Sequence, residues 1–239
     1  MKKISYFLLA LFLVLTGCHI RSQFKIPEKQ FVFIKSNVAL SACQTDGDIC
    51  VPIGKGHGYA SGFLIANKQD KSYYMTAGHA CTEELKSKNP KYEAVFETEI
   101  HLLDYDEEDN IATVVAVDEL HDICLLSAKK VNHLPATLAS KALPKHTKII
   151  NVAAPAGIWT RSTMLHFEGE FQGNRLKNNE SQSIYIMTAQ PGSSGSAIYD
   201  PITGRVVGMV THVLGPSYNV AFGPTTSQLN EFLDKNLPK

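Results

Sequence analysis

Short apolar runs, each closed by turn-forming residues, recur along most of this chain, and few are long enough to be helices. In the first half they are Phe31 to Ile34, Gly58 to Ile65, Ser72 to Thr76, Ala94 to Leu103, Ile111 to Asp118 and Ile123 to Ser127. A more polar stretch, Lys129 to Lys148, carries Pro135 and Pro144 and reads as a join between two halves. The pattern then resumes with Ile149 to Ala153, Thr163 to Gln172, Ser183 to Thr188, Gly195 to Tyr199, Val206 to His212 and Asn219 to Phe222. Many short β-rich runs at this spacing predict an all-β sandwich or barrel. Two helices are predicted. A short one follows His79 over Cys81 to Lys88. The other is C-terminal, capped by Thr225, Thr226 or Ser227, with Leu229, Phe232 and Leu233 as its apolar stripe.

The first residues break the pattern. Lys2 and Lys3 precede an apolar run from Ile4 to Leu15, which ends at Leu15-Thr16-Gly17-Cys18. A basic start, an apolar core too short to span a bilayer and a small-residue junction predict a signal peptide over residues 1–17. Leu-Thr-Gly-Cys also resembles the bacterial lipobox, which implies a lipid anchor on Cys18. Residues 18–30 are polar and carry Pro27, so they read as a tether, and the folded domain is expected over residues 31–239. The expected location is the bacterial cell envelope, as an exported, membrane-anchored lipoprotein.

Charge narrows the partners. The chain has 23 basic and 23 acidic residues, and losing Lys2 and Lys3 with the leader leaves 21 against 23, a formal charge of −2. Nucleic-acid binders carry a clear basic excess, so nucleic acid is not expected. Beyond Cys18 there are Cys43, Cys50, Cys81 and Cys124. Cys43 and Cys50 bracket a short polar loop suited to a local disulfide. Cys124 lies in an apolar run, where a free thiol would serve as a small hydrophobe. Spacing alone does not decide the pairing.

Three segments carry candidate chemistry. Gly192-Ser193-Ser194-Gly195-Ser196 places a serine in a glycine turn, Thr76-Ala77-Gly78-His79 ends a strand on an imidazole, and His121-Asp122-Ile123-Cys124 opens an apolar strand with a carboxylate. Acyl transfer needs a hydroxyl beside a base, a carboxylate that orients the base and amides aimed at the developing oxyanion. Ser194 is the candidate nucleophile, His79 the base and Asp122 the orienting carboxylate. The amides of Gly192 and Ser194 are the candidate oxyanion hole. Ser193 is the competing hydroxyl, and Asp118 and Asp104 are the rival carboxylates.

With these segments, Ala60-Ser61-Gly62-Phe63-Leu64-Ile65 and Val207-Gly208-Met209-Val210-Thr211, the chain resembles the chymotrypsin-fold serine proteases. The likeness is to the bacterial kind that includes the glutamyl endopeptidases and the protease domain of the HtrA proteins. It covers most of residues 31–236. It implies two six-stranded antiparallel β-barrels, at about 31–128 and 149–223, followed by a helix over about 225–237. His79 and Asp122 would come from the first barrel and Ser194 from the second. Ser196 stands where animal enzymes keep a glycine, and no Ile-Val-Gly-Gly segment occurs near the start. The resemblance also implies a side-chain pocket made by Thr188, Ala189, Thr211, His212 and Val213. A histidine there would suit an acidic side chain, although His212 is shifted from the place where glutamyl endopeptidases keep theirs, nearer to Val210. No aspartate marks a taste for lysine or arginine.

Other chemistries fit less well. An α/β-hydrolase esterase would need the order Ser, acid, His and a Gly-x-Ser-x-Gly elbow, but Ser196 occupies the last glycine and only His212 follows Ser194. The nine histidines are scattered, without His-Glu-x-x-His or paired Cys-x-x-Cys, so neither metal nor other cofactor is expected. The rival from another class is a silent barrel that binds peptides or an envelope partner. The expected partner is otherwise a protein or peptide substrate, with membrane contact through Cys18.

Overall fold

The computed structural model describes residues 25–44, 50–82, 92–215 and 219–238. The leader, Cys18 and most of the helix predicted over Cys81 to Lys88 lie outside them. No helix among the described residues is long and apolar enough to cross a membrane.

Six strands form a closed antiparallel barrel: β1 (Phe31–Gln44), β2 (Cys50–Lys68), β3 (Lys71–Ala77), β4 (Tyr92–Leu103), β5 (Asp109–Asp118) and β6 (Ile123–Lys129). Their order around it is β1-β2-β3-β6-β5-β4, with β4 returning to β1. Alternate residues of these strands serve two cores. Val32, Ile34, Leu64, Tyr74, Leu102, Cys124 and Leu126 pack with one another in one cluster. Phe31, Phe63, Met75, Ile123 and Leu125 pack instead with Val152, Tyr199, Val206 and Met209 of the second half. Burial on both faces explains why β3 and β6 read as unbroken apolar runs rather than alternating ones. Each such side chain, fully buried, stabilises by about 1.5–3 kcal/mol, so the shared core binds the halves firmly.

The second half has β7 (Thr147–Ala153), β8 (Leu165–Lys177), β9 (Glu180–Ile186), β10 (Ala197–Tyr199), β11 (Val206–Met209), β12 (His212–Val213) and β13 (Val220–Gly223). They form a seven-stranded sheet in the order β11-β10-β7-β8-β9-β13-β12. The expected second six-stranded barrel is therefore corrected to a sheet that no ladder closes. Its two edges belong to one stretch of chain, Val206 to Val213, of which the sequence reads Val206 to His212 as a single strand. Val210 N–H donates to Ser196 O at 3.0 Å and Thr211 N–H to Phe222 O at 2.8 Å. The chain thus leaves β10 and passes to β13 at that point, and the crossing replaces a ladder.

The join is not a free linker. Ala136 N–H donates to Leu64 O at 2.8 Å, Ala139 N–H to Val206 O at 2.8 Å, and Ala136 and Leu138 enter the shared core. The C-terminal helix α1 (Thr226–Asn236) begins with a capping box between Thr225 and Gln228. It buries Leu229 and Phe232 in that core.

Among the described residues there are two disulfides, Cys43–Cys50 at the far end of the β1–β2 hairpin and Cys81–Cys124. The reading of Cys124 as a free thiol gives way here. Thr76 lies opposite Cys124 in the β3–β6 ladder, so the segment leaving β3 passes over Cys124 and brings Cys81 into reach.

Candidate active site

His79 lies in a single 3₁₀ turn, Gly78–Ala80, immediately after β3. Its backbone N–H donates to Asp122 Oδ1 at 2.7 Å, and its Nδ1 lies 2.9 Å from Oδ2 and 3.1 Å from Oδ1. A Cβ at Gly78 would lie 3.0 Å from Asp122 Oδ1 and 3.1 Å from Ile123 N, a tight fit that any larger residue would have to relieve by a small shift. Asp122 adopts φ 57°, a left-handed conformation uncommon for a residue with a side chain. Its side chain is 14% exposed and that of His79 50%, which leaves the imidazole open to the cleft.

Burial opposes ionisation of Asp122, but the hydrogen bonds and charge of His79, with a contribution from His212, outweigh it. The carboxyl is held below its ordinary value of 3.8. An ionised carboxylate accepts, so the proton of a neutral His79 belongs on Nδ1 and the lone pair on Nε2.

The serine loop is fixed from several sides. Ser193 is fully buried; its N–H donates to Gln190 O at 2.8 Å and its Oγ accepts from Gln190 N at 3.2 Å. That hydroxyl is committed to the turn, whereas Ser194 is partly exposed. Ser61 reaches across from β2: its N–H donates to Ser194 O at 2.8 Å and its Oγ to Gly192 O at 2.8 Å. Ser61 Oγ also accepts from Ala154 N at 3.0 Å. Asn151 Nδ2 donates to Ser196 Oγ and to Ala197 O, both at 2.8 Å, which gives Ser196 a structural duty.

Gly192 has φ 97° and Gly195 φ 84°. A Cβ at Gly195 would collide with Ser61 O and Thr76 Oγ1 and lie 2.8 Å from Ala77 N. The loop therefore rests directly on the end of the strand that leads to His79. Among the described residues, the N–H groups of Gly192 and Ser194 donate to no backbone acceptor, and no hydrogen bond joins His79 to Ser194. Catalytic hydrogen bonds are often long before substrate is bound.

The rival carboxylates are engaged elsewhere. Asp118 Oδ2 faces His121 Nδ1 at 2.7 Å. Asp104 is buried, and its Oδ1 accepts from Asp106 N and Glu108 N.

Thr211 and His212 line a cleft of about 560 Å³ with His79 and Asp122. Thr188 lines a separate groove of about 1020 Å³ beside Ile186 and Asn219, while Ala189 is buried and Val213 half-buried. His212 sits beside the acid: its Nδ1 is 3.7 Å from Asp122 Oδ2 and 2.9 Å from Thr211 Oγ1, and its ring centroid is 6.2 Å from that of His79. Burial lowers its pKa below 6.5, with His79 and Lys177 adding to the effect and Asp122 opposing it. The sequence reasoning passed over His121, Lys177 and Glu180, which line the same cleft. The one available signal was the His-Asp pair at 121–122.

A closed β-barrel joined to a second β-sheet, with a histidine on an aspartate and a glycine-turn serine at the junction, is the architecture of the chymotrypsin-like serine proteases. Residues 60–209 match the trypsin-like peptidase domain, and the chain belongs to that family. The structure is similar to the active form of the Rv3671c protease from M. tuberculosis, with TM-score 0.63 and 16% identity over 89% of this chain and 83% of that one. It is also similar to the HtrA-type protease AlgW with a decapeptide, with TM-score 0.66 and 16% identity, covering 86% of this chain and 63% of that one. The serine endoprotease from Yersinia pestis gives TM-score 0.60 and 14% identity over 87% and 63%. This chain therefore spans under two thirds of the latter two. No curated protein matches it.

Proposed function

We propose that the chain is a serine endopeptidase that works through His79, Asp122 and Ser194. The observation that carries this reading is the double attachment of Asp122 to His79, beside a serine loop packed against the end of the strand that leads to His79. Ser194 Oγ attacks the peptide carbonyl carbon while its proton passes to His79 Nε2. Asp122 holds the imidazole and stabilises the imidazolium. The oxyanion accepts from the Gly192 and Ser194 N–H groups, the C–N bond breaks as His79 protonates the leaving amine, and water then hydrolyses the acyl-enzyme by the same steps. The similar HtrA-type structure that holds a decapeptide supports a peptide as the substrate.

Export and anchoring at Cys18 belong to the same reading and rest on the lipobox-like Leu15-Thr16-Gly17-Cys18. An intact mass of the mature protein without acyl addition at Cys18 would remove that part alone.

A serine-directed organophosphonate should label the wild type and not Ser194→Ala. His79→Ala and Asp122→Asn should each lower turnover of a mixed peptide library, the latter on the order of ten-thousandfold. Peptide hydrolysis that survives either change would overturn the mechanism. A wild type that takes no label yet binds peptides would identify the silent barrel instead.

A further inference from the structure

His121 is the residue of the His-Asp-Ile-Cys segment that the proposed chemistry leaves unused, and it spans the two halves. Its Nδ1 lies 2.7 Å from Asp118 Oδ2, and its backbone N–H donates to Asp118 Oδ1 at 3.1 Å. On the other side of the ring, Nε2 lies 3.2 Å from Glu180 Oε2. Asp118 ends β5 of the barrel and Glu180 begins β9 of the second sheet. A neutral imidazole has one N–H and one bare nitrogen, so it can donate to only one carboxylate and must turn a lone pair on the other. Only the imidazolium donates to both.

The ring stands between two cavities. His79, Glu119, Asp122, Lys177, Glu180 and His212 line one with it, and Asp118, Glu119 and, from α1, Glu231 and Lys235 line the other. Among the described residues, only Asp118 and Glu180 form ion pairs with it. His121 directly precedes Asp122, whose left-handed backbone is a conformation that its surroundings must hold.

We propose that His121 is a positioning residue: as an imidazolium it straps the turn that carries Asp122 to the β8–β9 hairpin, fixing one wall of the cleft and the seat of the carboxylate. The catalytic half of this statement rests on Asp122 acting as proposed above. The strap itself rests on the contacts alone.

The strap has a defined pH range. Burial disfavours charge on His121, but Asp118 and Glu180 outweigh it and raise the pKa above 6.5. A raised histidine contributes fully below its unfolded value of about 6.5 and is lost as pH rises through the folded one. For Asp118, burial opposes ionisation, yet its bonds to His121 hold it below 3.8, so its share is lost only as pH falls through that lower value. The strap is closed at weakly acid pH and opens on the alkaline side.

Hydrogen exchange of the whole protein between about pH 6 and pH 9, corrected for intrinsic rates, tests this on peptides covering residues 177–182. The wild type should lose protection about fivefold as pH rises, the size expected for one partly exposed ion pair. His121→Gln should exchange at the fast level throughout, and Glu180→Gln, which keeps the Asp118 contact, should do the same if His121→Gln folds poorly. In peptide hydrolysis the ratio of wild-type kcat to that of either variant should fall over the same range. A wild-type hairpin indifferent to pH, or variants that keep its pH dependence, would overturn the strap. Hydrolysis that survives Ser194→Ala would sink the protease reading and leave the exchange result to decide the strap.

Discussion

Ser61 and Gly192 stand 131 residues apart, yet the Ser61 hydroxyl donates to the Gly192 carbonyl at 2.8 Å. With the Ser61 N–H on Ser194 O and Ala154 N–H on the same hydroxyl, one β2 residue holds the serine loop of the other half. Ser61→Ala strands a buried carbonyl and a buried N–H, which should cost about 1–3 kcal/mol. Urea unfolding should show that loss, and kcat should fall more than KM rises. An unchanged midpoint and unchanged turnover would refute the role.

Gly195→Ala should be far more damaging. The new methyl would strike Ser61 O and Thr76 Oγ1 at a position already held at φ 84°. A loss of at least about 3 kcal/mol, or failure to fold, is expected. Gly54 is the control, because a Cβ there meets nothing within 4 Å. Gly54→Ala should stay within about 0.5 kcal/mol of wild type in thermal unfolding.

Cys81 and Cys124 follow His79 and Asp122 by two residues each, so their disulfide staples the two turns together. Replacing Cys81 with Ser and Cys124 with Ala should destabilise by about 2–4 kcal/mol. The Cys43–Cys50 bridge closes only 7 residues of separation against 43, and its removal should cost about 1–2 kcal/mol less. Paired denaturation curves would check the order.

Asp122 sets an acid dependence. Its folded pKa is depressed, so its stabilisation is complete above the ordinary value of 3.8 and lost as pH falls through the lower folded one. The stability difference between wild type and Asp122→Asn should therefore narrow as pH drops from neutral to about 3. A difference independent of pH would contradict the assigned charge state.

The elements of the barrel were legible where apolar runs were dense, as in β3 and β6, because both of their faces are buried. The outer parts of β1 and β2 were not. Residues 35–44 and 50–57 are largely small, polar or glycine, and backbone pairing from Phe31↔Phe63 out to Cys43↔Cys50 makes them strands without an apolar face to announce it. The split at Val210 and Thr211 left no mark either, since both residues are buried and apolar periodicity continues through them. At the site, His79 and Asp122 could be paired by motif and order. The place of His212 beside Asp122, rather than in one pocket with Thr188, depends on how β12 crosses the cleft, and spacing along the chain does not encode that.

The staple between the turns of His79 and Asp122 also makes the site conditional on its surroundings. In a reducing compartment the thiols of Cys81 and Cys124 part, and the His79 turn loses its covalent hold on the strand that Asp122 opens. Oxidation restores it. A protease built this way would be at its weakest inside the reducing cell that makes it, and at its firmest where disulfides persist.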